Sequence, residues 1–299
     1  NEVVKEEKRL RVDNQPYGKF LENVKKNLFS KHPYRWTTIG EMEHLDAATL
    51  DEFLAFNKKF YVPNNAVLVV AGDIDISSTK KMVEDYFGDI PKGAEIERYY
   101  EKDDPITETI SATAYDSNIQ IPAVINAYRT PGFSERDSRV LDMISTYLSD
   151  GPSSKLYKKL VDEKKMALQT GAFNISQEDY SMYVIFGLPL GENTLDDLVS
   201  EMDEEIVKIQ EQLISERDYQ KLQNKIENGF VNSNASIEGI ANSLARYYML
   251  YDDTNLINTE IDIYRSITRE EIKDVANKYL NPNQRLVLEY LPETKENEL

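Results

Sequence analysis

Apolar residues recur every three or four positions over most of the chain, and short continuous apolar runs separate these stretches. The first pattern is typical of amphipathic helices and the second of buried strands. The spacing predicts helices over residues 1–12, 19–29, 50–60, 77–87, 134–148, 153–165, 195–212, 216–234 and 237–251. The apolar runs predict strands over residues 66–72, within 111–129, and over 167–188 as a pair joined near Gln177. A last helix and strand follow, so the pattern predicts a mixed fold of helices and strands.

The chain starts inside a helical pattern. Val3, Glu6, Glu7 and Leu10 have helical spacing, and no capping residue or turn stands before them. We therefore expect the sequence to begin within a helix, as a piece of a longer protein would.

The length of 299 residues favours two domains, because single hydrophobic cores stop growing near roughly 250 to 300 residues. Between residues 91 and 108 the sequence has no sustained period of either kind, as is typical of a linker. We predict a first domain over residues 1–98, a linker over 99–108 and a second domain over 109–299.

An internal repeat relates the two predicted domains. Residues 49–71 align with residues 268–290 without a gap, and the match passes through the shared Pro-Asn turns at Pro63 and Pro282. Helix-turn-strand units resemble one another in general, and this is the alternative explanation. The gapless match through the turn favours duplication of one unit, once near the end of each domain.

Composition narrows the possible partners. The formal charge is −18 and the calculated pI is near 4.7, so the overall field repels a phosphate backbone, and we expect no nucleic-acid partner. The absence of cysteine excludes disulfides, thiol catalysis and cysteine-type metal sites. No run approaches the roughly 18 apolar residues of a membrane span. The compartment stays open, and export would require a leader upstream of this sequence.

Three segments together resemble the pitrilysin and insulinase type of zinc peptidase, a family that includes bacterial and mitochondrial processing peptidases. They are His32-Pro33-Tyr34, Ile39-Gly40 and residues 60–73. Less specific similarity continues through 128–131, 153–157 and the terminal repeat unit, so that the resemblance covers nearly the whole chain.

The resemblance implies an α+β fold of two related domains, each a mostly antiparallel sheet backed by helices. It also implies a zinc ion held by a His-x-x-Glu-His helix and a later Glu, the Glu of the motif activating a zinc-bound water. This sequence has two histidines, His32 and His44, and neither lies in such a motif. We therefore expect the first domain to be truncated at its N-terminus, zinc in the complete protein, and none bound to this chain alone.

The third zinc ligand of the family lies in a helix with the pattern Val-x-x-Glu. Matching the Val to Val4 assigns the ligand to Glu7, with Glu6 as the fallback. Without the resemblance, both would be interpreted as surface carboxylates of a charged helix. His32 is expected in a loop and His44 at a helix end, and we assign neither to zinc.

Many members of the family carry an Arg and a Tyr that stabilise the oxyanion formed during peptide hydrolysis. The alignment gives Val161 at the Arg position and Leu168 at the Tyr position, and neither side chain can donate a hydrogen bond. A second homologous half or subunit would have to supply this pair.

The leading hypothesis is therefore part of a zinc metalloendopeptidase that acts on peptides or unfolded segments enclosed in a two-half chamber. No residue of this chain is assigned to catalysis or to substrate contact. The alternative is a catalytically inactive structural or partner subunit of the same fold. A third class, a helical scaffold unrelated to peptidases, would require the motif at residues 60–73 to be accidental.

Overall fold

A computed structural model describes residues 1–98 and 100–293, which form two compact units. Of the described residues, 1–41, 100–223 and 266–293 belong to the first unit, and 42–98 and 224–265 belong to the second. Tyr99, the first residue of the predicted linker, and residues 294–299 of the predicted second domain lie outside the described residues. The division into domains 1–98 and 109–299 with a linker over 99–108 stays a prediction.

The described residues contain eleven α-helices and five β-strands. The helices are α1 (Glu2–Lys8), α2 (Phe20–Leu28), α3 (Met42–Ala47), α4 (Leu50–Phe60), α5 (Ile76–Phe87), α6 (Arg136–Ser149), α7 (Leu195–Glu211), α8 (Glu216–Ser233), α9 (Ile237–Tyr251), α10 (Leu256–Arg265) and α11 (Arg269–Tyr279). The strands are β1 (Ile110–Asp116), β2 (Ala123–Pro131), β3 (Ala167–Ile175), β4 (Tyr180–Pro189) and β5 (Arg285–Pro292). The α+β class predicted from the sequence is confirmed.

The strands form one sheet in the first unit, in the order β1-β5-β2-β4-β3. β1 and β5 run parallel, whereas the β5–β2, β2–β4 and β4–β3 pairs are antiparallel. The sheet is therefore mostly antiparallel, as predicted. The strand that closes the terminal repeat, β5, lies between two others and is an interior strand of this sheet.

Both faces of the sheet are covered, which is why nearly every residue of the central strand β2 is buried. α6, α7 and α11 pack against one face, and α2 packs against the other. The α2 side forms a continuous apolar core, which contains Val24 and Leu28 of α2 and the sheet residues Ile125, Val184 and Leu288. Burial of this alternating apolar pattern holds the register of the strands.

The second unit contains α3, α4, α5, α9 and α10, together with the C-terminal part of α8. None of the described residues 42–98 is buried. The prediction of a strand over residues 66–72 was wrong, because this segment pairs with no other strand among the described residues. The described residues therefore contain one of the two predicted sheets. A β-strand needs a neighbour for its backbone N–H and C=O groups, and an apolar sequence cannot supply one by itself.

The two copies of the repeat nevertheless share their local structure. α4 and α11 each span 11 residues and each begins with a complete capping box, Thr49 with Glu52 and Thr268 with Glu271. Each helix is followed by a short 3-10 turn beginning at Pro63 or Pro282. Capping residues and prolines act locally, so both copies fold alike up to the turn.

Four helical segments differ from the pattern-based prediction. Residues Arg9–Asp13 and Tyr157–Glu163 form π-helical turns rather than regular α-helix. The helices α3 and α10 were not predicted. No described helix combines the length and the apolar content required to cross a membrane.

Candidate functional site

The candidate metal ligand Glu7 lies on α1, a helix with two chemically different sides. Lys5 and Lys8 are buried, whereas Glu6 and Glu7 are exposed to solvent. The Lys8 ammonium lies 3.5 Å from a Glu22 carboxylate oxygen. This ion pair offsets the cost of burying the lysine charge. The lysine side therefore anchors the helix and leaves the carboxylates of the acidic side accessible.

Glu7 and Glu6 each have a cationic neighbour on the same helical segment. The Glu7 carboxylate lies 3.1 Å from the guanidinium of Arg11, and the Glu6 carboxylate lies 3.1 Å from that of Arg9. The Glu7 side chain is 46% exposed, and exposed pairs of this kind contribute only about 0.2 to 0.5 kcal/mol. The pairing with Arg11 is thus too weak to keep Glu7 from a stronger cation.

The described residues do not form a zinc site on their own. Nowhere in residues 1–98 and 100–293 do three His, Cys, Asp or Glu side chains lie close enough together to hold a metal ion. His44 is exposed on α3 of the second unit, and His32 belongs to the first unit. One carboxylate is not a zinc site, because zinc in proteins takes three or four protein ligands.

His32 was expected in a loop, and the structure places it at the N-cap of the 3-10 turn Pro33–Arg35, with 1% of its surface exposed. Its Nδ1 accepts the backbone N–H of Tyr34 at 3.2 Å, and its Nε2 lies 3.3 Å from an Asp179 carboxylate oxygen. The ring packs edge-on against Tyr34 and Tyr180. These contacts make His32 a packing residue of the first unit.

Asp103 is the anchor of this loop and was not identified from the sequence. Its carboxylate accepts the backbone N–H groups of Ser30, Lys31 and His32 and the Ser30 hydroxyl, at 2.6 to 3.0 Å. Burial acts to raise the pKa of Asp103, but these hydrogen bonds outweigh burial and lower the pKa to about 2. The residue lies within the predicted linker, and its partners are more than 70 positions away. No local sequence signal identifies such a contact.

Arg129 fixes the same region from β2. Its guanidinium donates to the backbone carbonyl oxygens of Leu28 and Asp104. It also lies over the rings of Phe29 and Tyr180, at 5.4 and 5.7 Å from their centres. Burial lowers the pKa of Arg129 from its usual value. The Tyr128–Pro131 motif noted in the sequence thus has a structural role.

A polar cleft of about 840 Å³ opens beside these residues. Two of its cationic side chains have acidic partners: Lys278 lies 2.7 Å from Asp137, and Arg136 donates to Glu271 at 2.7 Å. These pairs hold α6 and α11 together at the rim of the cleft.

Val161 and Leu168 are the residues that the sequence alignment predicts at the Arg and Tyr positions of the family. Val161 is half-buried in the π-helical turn, and Leu168 is 47% exposed near the start of β3. The nearby Lys159 is held by Glu201 and Glu204, each at 2.8 Å. Neither the Val161 nor the Leu168 side chain has a hydrogen-bond donor.

Comparison with known proteins identifies the family. Residues 47–226 match the model described as the peptidase M16 inactive domain, and this match covers more than half of the chain. This chain belongs to the peptidase M16 inactive-domain family. The resemblance to pitrilysin and insulinase-type peptidases predicted from the sequence is thereby confirmed.

Relatives of this M16 chain include named proteases. The zinc protease PqqE of Helicobacter pylori is 26% identical over 285 residues, which are 95% of this chain and 64% of that protein. A crystal structure of a protease from Helicobacter pylori has a TM-score of 0.89 at 25% identity and covers 97% of this chain and 70% of that one. A peptidase M16 inactive domain from Pseudomonas fluorescens has a TM-score of 0.82 at 15% identity over 98% of this chain and 71% of that one, which supports the fold alone. The chain spans less than two thirds of the length of the first curated relatives.

Proposed function

We propose that this M16 chain forms part of a zinc metalloendopeptidase and supplies Glu7 as one protein ligand of the metal. The observation that carries the proposal is the accessible carboxylate of Glu7 in a Val-x-x-Glu pattern, on a helix anchored by the buried Lys5 and Lys8. Similarity to zinc proteases supports the same assignment. The two histidine ligands would come from polypeptide outside this sequence.

The substrates we propose are peptides or unfolded protein segments. They would be bound in extended form, so that their backbone adds to the edge of a sheet, and enclosed between two homologous halves. The second half would supply an Arg and a Tyr to the developing oxyanion. The side chains of Val161 and Leu168 have no hydrogen-bond donor, which supports a second half as the source of the Arg and the Tyr.

One alternative has its own support: a catalytically inactive partner or structural subunit of the same fold. The matching family model is described as an inactive domain, and both oxyanion positions carry apolar residues. Glu7 distinguishes the two functions, because an inactive subunit has no use for a metal ligand at this position.

Cleavage of an unfolded protein by the longest polypeptide encoded by the gene of this chain tests the proposal. The assay is run with the protein as isolated, after treatment with a chelator, and after zinc is added back, both with and without a homologous second subunit. We expect cleavage that the chelator abolishes and zinc restores. A protein that holds no zinc and cleaves nothing in any combination would establish the inactive subunit instead.

A further inference from the structure

A small apolar cavity lies between α2 and the sheet, and it shares no lining residue with the polar cleft. It has a volume of about 280 Å³, opens to solvent on one side and has almost entirely apolar walls. The lining residues come from α2, from the turn before it and from β2, β3 and β4, and all of them belong to the first unit. The cavity is therefore formed by one compact unit.

Aromatic rings form one wall of this cavity. Phe20 of α2 lies edge-on to Phe173 of β3, with 6.3 Å between the ring centres, and Phe173 lies edge-on to Phe186 of β4 at 6.2 Å. All three side chains are partly buried and pack against the core of the unit. Aromatic rings attract a further ring in edge-on or offset contact. The wall therefore favours a flat aromatic ligand over a branched aliphatic one.

A glycine makes room for this wall. Gly171 pairs with Phe186 across the β3–β4 ladder, and a Cβ atom at residue 171 would lie 2.6 Å from the Phe186 ring. A glycine within a strand often marks such a close approach. Any larger residue at 171 would displace the ring. Gly171 thus allows the Phe186 ring to lie over β3, where it lines the cavity.

Tyr17 lines the cavity in a backbone conformation that few residues other than glycine adopt. Its φ of 58° lies in the left-handed region. Its backbone N–H donates to the carboxylate of Asp116 at 3.0 Å, and its hydroxyl donates to the carbonyl oxygen of Ile121 at 2.7 Å. Strained backbone that is held in place by its surroundings is typical of ligand sites. Because its hydroxyl is already bound, Tyr17 adds apolar surface to the cavity.

Gln169 adds a polar group to this lining. Its side chain is exposed, so its amide lies at the open side of the cavity. The β3–β4 ladder shifts register between Ala167 and Gln169, and after the shift Gln169 pairs with Leu188, which also lines the cavity. Such shifts re-aim side chains beside functional sites. The amide makes no hydrogen bond to another described residue, so its oxygen is available to a donor on a ligand.

We propose that this cavity binds an indole ring, whose N–H donates to the side-chain oxygen of Gln169. Because an apolar cavity of about 150 Å³ holds one benzene ring, a volume of about 280 Å³ accommodates two fused rings. The indole N–H is a donor only, which matches the amide oxygen. Two sources present this ring: a free indole compound and a tryptophan side chain of a bound polypeptide. The proposal does not depend on zinc or on Glu7.

Titration of the 299-residue chain with indole, with 1-methylindole and with N-acetyl-L-tryptophanamide, followed by NMR, tests the site. We expect saturable binding of one indole per chain with a Kd on the order of 0.1 to 1 mM, as is usual for a ligand of this size. 1-Methylindole lacks the donor and should bind about five- to tenfold more weakly. Tighter binding of N-acetyl-L-tryptophanamide than of indole identifies a polypeptide as the source of the ring, and the reverse order identifies a free compound.

Three variants locate the binding. Leu188→Trp should fill the cavity and weaken indole binding by more than about tenfold, with unchanged circular dichroism. Leu190→Trp is the matched control, since Leu190 is 38% exposed and does not line the cavity, and it should bind indole as the unaltered chain does. Gln169→Leu should remove the difference between indole and 1-methylindole, and it decides the question where Leu188→Trp does not fold.

The same titration on the longest polypeptide that the gene encodes should give the same affinity for indole. Loss of binding there would overturn the proposal, because another part of the protein would then fill the cavity. Absence of saturable binding, full binding by a folded Leu188→Trp variant, or an unchanged preference for indole in Gln169→Leu would overturn it as well.

Discussion

The carboxylate of Asp103 accepts the backbone N–H of His32 at 3.0 Å, although the two residues are 71 positions apart in the sequence. The same carboxylate binds the two preceding N–H groups and so fixes the start of the His-Pro-Tyr motif against the sheet-bearing unit. A motif that carries the family resemblance is thus held by a residue from a segment with no regular secondary structure.

Asp103→Asn should lower the free energy of unfolding by about 2 kcal/mol at neutral pH, because the amide offers one acceptor oxygen and no charge to the four donors. The folded pKa of about 2 lies below the unfolded value of about 4, so the ionised carboxylate stabilises the fold above pH 4. That contribution is lost as the pH falls through the folded pKa. This loss is measured by urea unfolding at several pH values from 6 to 2, followed by circular dichroism and by the fluorescence of the single tryptophan, Trp36.

Asp104→Asn is the matched control, since the side chain of Asp104 is exposed and pairs with Lys31 at the surface. It should change the free energy of unfolding by less than about 0.5 kcal/mol at any pH in this range. Equal losses for the two variants would show that the hydrogen bonds to Asp103 do not stabilise the loop.

Asp203→Asn should destabilise the first unit by about 3 kcal/mol, because it leaves a buried guanidinium without its counter-charge. Arg285 is buried in β5, and its guanidinium donates to both carboxylate oxygens of Asp203 and to the hydroxyl of Tyr128 at 3.2 Å. Burial raises the pKa of Tyr128 to about 12, so the hydroxyl stays neutral at physiological pH. Urea unfolding at pH 7 gives the change in free energy.

The double variant Asp203→Asn with Arg285→Met should be more stable than the sum of the two single losses, since it removes both charges. Glu163→Gln, which breaks an exposed pair with Lys158, should change stability by less than about 0.5 kcal/mol. Strict additivity of the double variant would contradict the proposed coupling.

The sequence predicted those elements whose signals are local. The helices predicted over 50–60 and 237–251 match α4 and α9 residue for residue, and a Thr cap or Ser cap marks the start of each. The α+β class and the closing helix-turn-strand unit were also predictable, because helical spacing and the Pro-Asn turn are properties of neighbouring residues.

What the sequence could not predict depends on residues far apart in the chain. The apolar run 66–72 has the composition of a strand, but a strand requires a partner, and β5 has two where residues 66–71 have none in the described chain. For the same reason, the hydrogen bonds between Asp103 and residues 30–32 could not be predicted. The assignment of Glu7 rests on the resemblance and stays a prediction.

The 299-residue chain alone should not form a tight stoichiometric zinc complex, because Glu7 is the one ligand that we assign to it. Isothermal titration with zinc at neutral pH checks this, with Glu7→Gln as the comparison. A 1:1 site of high affinity in the unaltered chain would mean that the metal is held by residues that neither the motif nor the geometry identifies.

Zinc content after dialysis, measured by atomic emission on the longest polypeptide from this gene, tests the assignment of Glu7 most directly. Glu7→Gln keeps the size of the side chain and removes the charge that a dication held by neutral imidazoles requires. Glu6→Gln is the matched control, because adjacent residues of a helix point about 100° apart. We expect zinc and peptidase activity to be lost in Glu7→Gln and kept in Glu6→Gln, with unchanged circular dichroism in both. Full zinc content in Glu7→Gln would contradict the assignment, whether or not Glu6→Gln had lost the metal.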